Sequence, residues 1–363
     1  MFSQQLRSRQ ALKCAVAICA VSSIGAMYVG LGTGYQQQNL VTDGFYEAPT
    51  VDPNLVNPWG LVPNPNGVWW ISDEATGKST LYDGDGNTLP LVVDVPAPNF
   101  LGSGEPTGIA FNSTQSFVMI DGPNSAPALF LFAGIDGVIS GWAPTLPPPA
   151  PSTAAHVVID SSGQGAGYFG VAINTFNPPR LYAADFFNAR INGFDGTFQP
   201  LTLPGTFTDP AVPAGYAPFN IMSFGEHLFV AYALKDAQGE EVPGPGNGFV
   251  SVFTRNGALV SSLIRKGKLN APWGMAMSPG DFGQFSNCLL VGNFGDGRIN
   301  AYDPLTGHFR GTLLRANGRP IHADGLWGIS FGNGAGASPS NVLHYTAGPA
   351  DEAHGVFGRI DSL

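Results

Sequence analysis

The sequence predicts an all-β protein, a six-bladed β-propeller, because a short phrase recurs six times along its 363 residues. Each copy has an apolar or aromatic residue (once Thr), then Gly or Asn, then an aliphatic-rich segment. The first positions of the copies are Trp59, Thr107, Phe169, Phe219, Trp273 and Trp327. Successive copies are 48, 62, 50, 54 and 54 residues apart. A repeat near fifty residues that contains several short strands is typical of propeller blades.

The composition suits a globular protein made of short strands. Glycine occurs 49 times and proline 31 times, while 44% of the residues are hydrophobic and only 12% are charged. Glycine and proline form tight turns, and a disordered chain would lack this hydrophobic content. The formal net charge is −10, which argues against a nucleic-acid partner because phosphates are bound by Lys and Arg.

Each repeat divides into short strands in which apolar and polar residues alternate, separated by Gly, Asp and Asn, as in antiparallel hairpins. In the first repeat the predicted strands are residues 60–62, 68–72, 79–82 and 91–95. In the third they are 170–173, 181–184, 190–194 and 199–203, and in the fifth 274–277, 289–292, 298–302 and 309–314. Four strands per repeat match a propeller blade.

The sixth repeat supplies only three strands after Trp327, whereas residues 38–43 form a strand without a partner in the first repeat. If this N-terminal strand joins the last blade, it closes the ring and pairs an edge that would otherwise stay open. We therefore predict one propeller domain over residues 35–363, closed by its N-terminal strand.

Two repeats carry insertions. The second ends in a proline-rich stretch at residues 147–151, and the fourth contains residues 235–248, with adjacent acids at Glu240 and Glu241. Long loops on a rigid scaffold are natural binding elements. Such insertions also occur as decoration, and the sequence leaves both interpretations open.

Residues 1–34 have the pattern of an export signal followed by a short leader. Three basic residues, the last of them Lys13, precede an uncharged run at residues 14–31, and Ala26 is a small residue suited to cleavage. Cleavage would give a secreted or periplasmic protein with no membrane span. The alternative is an uncleaved membrane anchor, since a run of about 18 residues can just cross a bilayer.

Candidate binding residues follow from the repeat, because equivalent loops of the blades should meet at one mouth of the central channel. These loops connect the second and third strands of a blade or precede its first strand. The candidate ligand-binding residues are Asp73, Asp185, Asn293, Glu352 and His354. Other polar residues at predicted strand ends are Asn57, Glu74, Asp121, Asn270 and Asp324.

Carboxylates and amides that converge from several blades could hold Ca²⁺ or another divalent cation, because hard cations take oxygen ligands. The candidate metal ligands are Asp73, Glu105, Asp185, Asn293 and Glu352. The alternative is that these Asp and Asn residues form turns and cap strand ends. No catalytic residue is identified, since the sequence has no Gly-x-Ser-x-Gly elbow and no His-Glu-x-x-His helix.

Glu352 and His354 depart most from the repeat, because the sixth repeat has a longer and more polar loop than the first, third and fifth. Two residues apart, they would lie on one side of an extended segment. A His beside a carboxylate can act as a base or a ligand. A His in a glycine-bounded loop is otherwise a structural hydrogen-bonding residue, so both roles remain open.

Six segments, at residues 54–60, 72–82, 290–303, 324–328, 345–349 and 352–358, carry a resemblance to a known family. They resemble secreted, mostly bacterial proteins of unknown function that are predicted to be six-bladed propellers. The resemblance extends from Asn39 to the end of the chain and implies export and a propeller fold, but no activity. More distantly, the architecture is similar to NHL-repeat proteins and to gluconolactonase-type propellers, whose channel-lining metal site does not map residue by residue onto this sequence.

The sequence therefore supports two functions. The first is a non-catalytic exported scaffold that binds a protein, a glycan or a small molecule at the mouth or through its inserted loops. The second is a metal-dependent, lactonase-like hydrolase in which a channel cation polarises a carbonyl and activates water. The missing catalytic signature favours the first.

Overall fold

The computed structural model describes residues 34–100 and 102–363, so the predicted export signal, apart from Gly34, lies outside the described residues. The strands are β1 (Tyr35–Thr42), β2 (Thr50–Val51), β3 (Pro58–Pro63), β4 (Trp69–Asp73), β5 (Lys78–Tyr82), β6 (Val93–Asp94), β7 (Pro106–Phe111), β8 (Val118–Asp121), β9 (Asn124–Pro127), β10 (Phe130–Gly134), β11 (Val138–Trp142), β12 (His156–Asp160), β13 (Tyr168–Asn174), β14 (Arg180–Asp185), β15 (Arg190–Asp195), β16 (Tyr216–Phe224), β17 (His227–Leu234), β18 (Phe249–Thr254), β19 (Leu259–Arg265), β20 (Pro272–Met277), β21 (Leu289–Asn293), β22 (Ile299–Tyr302), β23 (Phe309–Thr312), β24 (Leu326–Phe331), β25 (Leu343–Ala347) and β26 (Val356–Ser362).

The helical content of the described residues consists of short 3₁₀ turns. They lie at Glu74–Thr76, Pro98–Phe100, Ser162–Gln164 and Gly283–Phe285. None of the helices in the described part of the chain is long and apolar enough to span a membrane.

Six small sheets, antiparallel except for the short parallel pair β1–β2, form the blades of a closed ring. Their strand orders are β3-β4-β5-β6, β7-β10-β11-β12, β13-β14-β15, β16-β17-β18-β19, β20-β21-β22-β23 and β24-β25-β26-β1-β2. The first strand of each blade contacts the first strands of both neighbouring blades, and β24 returns to β3. Each of these inner strands carries one copy of the repeated phrase, so the six-bladed propeller predicted from the sequence is confirmed.

The ring is closed by the N-terminal strand, as predicted. β1 runs antiparallel to β26 from the pair Tyr35–Ser362 to the pair Thr42–Val356. Tyr35, Leu40 and Val41 of β1 are buried, which adds hydrophobic contacts to the backbone ladder. The last blade is therefore built from both ends of the described chain.

The third blade has three strands instead of the four predicted. Residues 199–203 make only an isolated bridge, between Phe194 and Pro200. Pro200 and Pro204 have no backbone N–H to donate, so this segment cannot form a regular ladder on β15.

The second blade contains an extra hairpin, formed by β8 and β9, between its first and second strands. Asp121 was predicted to end the second strand of this blade, but it lies in this hairpin. The second strand of the blade is β10, and the loop after it carries Asp136. The long step of 62 residues between Thr107 and Phe169 reflects this insertion.

The aromatic residues of the repeat meet on the axis of the ring. We call Trp59, Phe169, Phe219, Trp273 and Trp327 the aromatic plug; each is at most 4% exposed. Trp59 stacks on Trp327, with ring centroids 3.5 Å apart, and also contacts the rings of Phe169 and Trp273. Because blade 1 thereby touches blades 3, 5 and 6 across the centre, the plug fills the central channel at this level.

Candidate functional site

The loops named in the sequence analysis do gather at one end of the blades, which we call the mouth. In every blade the start of the first strand pairs with the end of the second strand. The pairs are Pro58–Asp73, Pro106–Gly134, Tyr168–Asp185, Tyr216–Leu234, Pro272–Asn293 and Leu326–Ala347. The loops before the first strands and after the second strands therefore share one side of the aromatic plug.

Asp73 occupies this end of its blade, but its side chain is fully buried. Its Oδ2 accepts a hydrogen bond from the Thr80 hydroxyl at 2.8 Å, and its Oδ1 has no partner among the described residues. Burial raises the pKa of Asp73 well above its usual value, although the hydrogen bond from Thr80 opposes this shift. Asp73 is thus placed inside the blade, not at the mouth.

Asp185 and Asn293 hold the loops that follow them. Asp185 accepts hydrogen bonds from the Asn188 side chain and from Arg190 Nε, the latter at 3.1 Å. Asn293 donates to the Lys268 carbonyl at 2.8 Å and accepts from the backbone N–H of Asn270. Both side chains are buried, which matches the turn-forming alternative more closely than a ligand-binding role.

The polar centre of the mouth is Asn57, in the loop before β3. Its Nδ2 donates to Glu74 Oε2 at 2.8 Å and to Glu352 Oε2 at 2.7 Å. Its Oδ1 accepts from the Trp327 indole at 3.0 Å, which ties the amide to the aromatic plug. A Cβ at Gly348 would collide with this Oδ1, so only glycine permits the approach.

Asn57 therefore bridges two carboxylates from different blades. Because both oxygens bond the same nitrogen, they lie at most 5.5 Å apart. Burial raises the pKa of Glu74 and of Glu352, the hydrogen bond from Asn57 lowers it, and nearby carboxylates raise it further. The second oxygen of each, Oε1, makes no hydrogen bond with the described residues and is free for a ligand.

Glu352 and His354 do not act from one side of an extended segment. Ala350, Asp351 and Glu352 all have positive φ, between 53° and 64°, so the segment is a left-handed turn. His354 Nδ1 lies 2.6 Å from Asp43 Oδ2, and its ring stacks on Phe45 with centroids 3.9 Å apart. Glu352 faces Asn57, whereas His354 fixes the loop after β1.

The insertion in blade 4, residues 235–248, folds over the mouth. Lys235 Nζ donates to the carbonyl oxygens of Phe186 and Phe187 in blade 3, at 3.0 and 2.6 Å. The N–H of Gly244 donates to Asn270 Oδ1, in front of blade 5, at 2.6 Å. The insertion thus spans from blade 3 to blade 5.

The insertion brings further acids to the mouth. Burial, together with the charges of Glu352, Glu240 and Asp236, raises the pKa of Glu241 to about 8. Asp136 lies in the loop after β10, the second strand of blade 2. Burial raises the pKa of Asp136 to about 6, with a contribution from the charge of Glu105. Crowded, partly desolvated carboxyl groups are costly to ionise together.

The predicted metal ligands are not arranged as a metal cage. Among residues 34–100 and 102–363, no group of three or more His, Cys, Asp or Glu side chains is placed to hold a metal ion. Two amide oxygens that could complete such a set are already used: Asn57 Oδ1 by Trp327 and Asn293 Oδ1 by Asn270. In the described residues these amide oxygens therefore bind groups of the protein itself.

The sequence contained signals for the residues that do meet. Asn57 precedes the repeated phrase and Glu74 follows Asp73, but Glu352, the second carboxylate bound by Asn57, is 295 residues from Asn57. Asp136 was missed because the extra hairpin displaced the second strand. The Asp-Gly turn at residues 136–137, directly after an apolar run, could have located it.

The chain has relatives of substantial identity. It is 32% identical over 338 residues to the uncharacterized protein R648 of Acanthamoeba polyphaga mimivirus, covering 90% of this chain and 80% of that protein. It is 34% identical over 289 residues to the uncharacterized protein L690 of the same virus, covering 77% and 74%. The resemblance noted from the sequence implied mostly bacterial relatives, whereas these two are viral. No family model matches the chain, so membership of the NHL-repeat proteins gains no support.

Solved structures share the architecture. The crystal structure of Penicillium chrysogenum alpha-L-arabinanase complexed with arabinobiose superposes with a TM-score of 0.55 at 12% sequence identity. The superposition covers 90% of this chain and 98% of that enzyme. At this identity the likeness shows the fold alone.

Proposed function

The chain belongs to the family of the uncharacterized mimivirus proteins R648 and L690, and we propose that it is an exported scaffold that binds an organic cation at its mouth. The observation that carries the proposal is the carboxylate pair of Glu74 and Glu352, bridged by Asn57. Export is inferred from residues 1–34, and N-terminal sequencing of protein recovered outside the cytoplasm tests it.

A cation is the ligand that this electrostatic environment favours. Glu74 and Glu352 are held together although burial and neighbouring carboxylates oppose their ionisation. A positive charge between them relieves the repulsion. The overall charge of −10 adds a long-range attraction for cations.

An organic cation fits better than a bare metal ion. Ca²⁺ takes six to eight oxygen ligands, whereas the pair offers two free carboxylate oxygens and no adjacent group of three acidic or histidine side chains among the described residues. An ammonium or guanidinium group needs only a few acceptors, which it contacts through charge-assisted hydrogen bonds. A binding scaffold also agrees with a sequence in which no nucleophile could be identified.

The double substitution Glu74→Gln and Glu352→Gln tests the proposal. We expect the unchanged protein to bind putrescine or arginine amide measurably in calorimetry, and the double variant to lose at least about tenfold in affinity, equivalent to 1.4 kcal/mol. Both glutamines keep the shape of the side chains, so the variant should stay folded. Glu226→Gln is the matched control, because Glu226 is exposed in the turn between β16 and β17, at the other end of blade 4.

Calcium chloride is the second probe in the same experiment. We expect it to bind more weakly than the organic cations. If neither probe binds, or if the double variant binds like the unchanged protein, the mouth is not a cation site. If calcium alone binds with defined stoichiometry, the metal-site interpretation is correct and the organic-cation proposal is wrong.

The stability of the protein should depend on pH through Glu241. Its pKa is raised to about 8 in the folded state from an ordinary value of 4.5, so the folded state binds more protons than the unfolded state between these values. The stabilising contribution is fully present below pH 4.5 and is lost as the pH rises through about 8. Glu241→Gln removes this titration, so we expect its melting temperature to fall less between pH 6 and pH 9 than that of the unchanged protein. Equal slopes for the two proteins would contradict the assignment.

A further inference from the structure

A cavity lies beside the closing strand of the last blade, and Asp324 and Ala347 place part of its wall at the mouth end of that blade. It has a volume of about 890 Å³ and is bounded by β1, the loop after β1, and the segment between β23 and β24. The volume is near the upper end of the range for ligand pockets, roughly 300–1,000 Å³. None of the residues of the Asn57-centred cluster lines it.

The floor of this groove is a fixed hydrogen-bond network. Arg315 donates to Gln37 Oε1 at 2.7 Å, and Gln37 Nε2 donates to the hydroxyl of Tyr345 at 3.1 Å. The Tyr345 hydroxyl in turn donates to Asn39 Oδ1 at 2.8 Å. Because each member is held by the next, these side chains are oriented before a ligand arrives, which lowers the ordering cost of binding.

Several polar groups around this floor are left for a ligand. His322 is exposed, and its ring makes no hydrogen bond within the described residues; Asn39 Nδ2 likewise makes none there. The carboxylate of Glu47 is likewise exposed. The groove therefore presents donors and acceptors together, and neither sign of charge dominates.

An aromatic ring stands at the edge of the groove. Tyr46 is 42% exposed, and its ring lies 4.8 Å from that of Phe45. Phe45 stacks on His354, which is hydrogen-bonded to Asp43. This chain of contacts holds Tyr46 in place and gives His354 a structural function that the sequence could not distinguish from a catalytic one.

We propose that this groove binds a neutral oligosaccharide. Each sugar hydroxyl donates one hydrogen bond and accepts others, which matches the mixed set of amide, carboxylate and guanidinium groups. The Tyr46 ring supplies an apolar face with a polar tip, suited to a ligand that has both C–H faces and hydroxyls. A nucleotide or another anion would meet Glu47 and the net negative charge of the chain instead.

The full chain is to be titrated calorimetrically with cellotetraose, xylotetraose, mannotetraose and chitotetraose, and with a tetragalacturonate as an acidic probe. We expect at least one neutral tetrasaccharide to bind with a dissociation constant below about 1 mM. His322→Ala and Tyr46→Ala should each weaken this binding at least about tenfold. Both residues are exposed, so the variants are expected to keep the circular dichroism spectrum and melting temperature of the unchanged protein.

The Glu74→Gln and Glu352→Gln double variant serves as the control, since its substitutions lie outside the groove. It should bind the tetrasaccharide normally, so that failure of the cation site and failure of the groove can be told apart. The proposal is overturned if none of the neutral probes binds, if only the acidic probe binds, or if both groove variants bind as tightly as the unchanged protein.

Discussion

Replacement of Trp327 with alanine is expected to lower the free energy of unfolding by about 3–5 kcal/mol, the usual cost of removing a large aromatic side chain from a core. Trp327 is fully buried and packs against Trp59, Phe219 and Phe294. Its loss also leaves Asn57 Oδ1 without its indole donor. Chemical denaturation followed by circular dichroism measures the effect.

Two further variants separate the packing of Trp327 from its hydrogen bond. Trp327→Phe keeps an aromatic ring in the plug but removes the indole N–H, so its cost should be smaller than that of alanine. Leu259→Ala is the surface control, because Leu259 is 38% exposed on β19, and it should change stability by about 0.5 kcal/mol or less. If Trp327→Ala and Leu259→Ala unfold at the same denaturant concentration, the plug does not stabilise the ring.

Removal of β1, residues 35–42, should be at least as damaging. It withdraws three buried hydrophobic side chains, Tyr35, Leu40 and Val41, each worth about 1.5–3 kcal/mol on burial. It also leaves β26 as an open edge that can pair with other molecules. Size-exclusion chromatography should show aggregation, and thermal unfolding should lose its single sharp transition.

Strand complementation makes this prediction specific. A synthetic peptide of residues 34–51 added in trans should restore the sharp transition, because the backbone of β26 and the pocket for Leu40 remain in the truncated protein. A peptide with Leu40→Asp and Val41→Asp should fail to do so. If the truncated protein is monomeric and unfolds like the full chain without any peptide, β1 is not needed to close the ring.

The architecture could be predicted because each blade repeats the same local rules. The phrase around Trp273, for example, consists of an aromatic residue, a glycine and an apolar run. Each copy of the phrase forms the first, inner strand of a blade. The prediction was wrong where a repeat breaks its own pattern: at Pro200, where prolines prevent a ladder, and at Asp121, where an inserted hairpin resembles a blade strand.

The candidate site was harder to predict because its contacts are not periodic. Asn57 contacts Glu74, 17 residues away, and Glu352, 295 residues away. No local pattern links these positions. The prediction that Glu352 and His354 lie on one side required an extended backbone. Three successive non-glycine residues with left-handed φ angles form a turn there instead, and no residue pattern in the sequence indicates such a turn.

The pairing of the first strand with the last also sets a condition on how the molecule folds. Tyr35 meets Ser362, 327 positions later in the chain, so the last blade cannot be completed until residue 362 has been synthesised. Until then β1 lacks its partner strand β26, and contacts of such long sequence separation fold slowly. We therefore expect blades 1 to 5 to form early. The pairing of β1 with β26 should then close the ring in one late step, after which the whole ring unfolds as a unit.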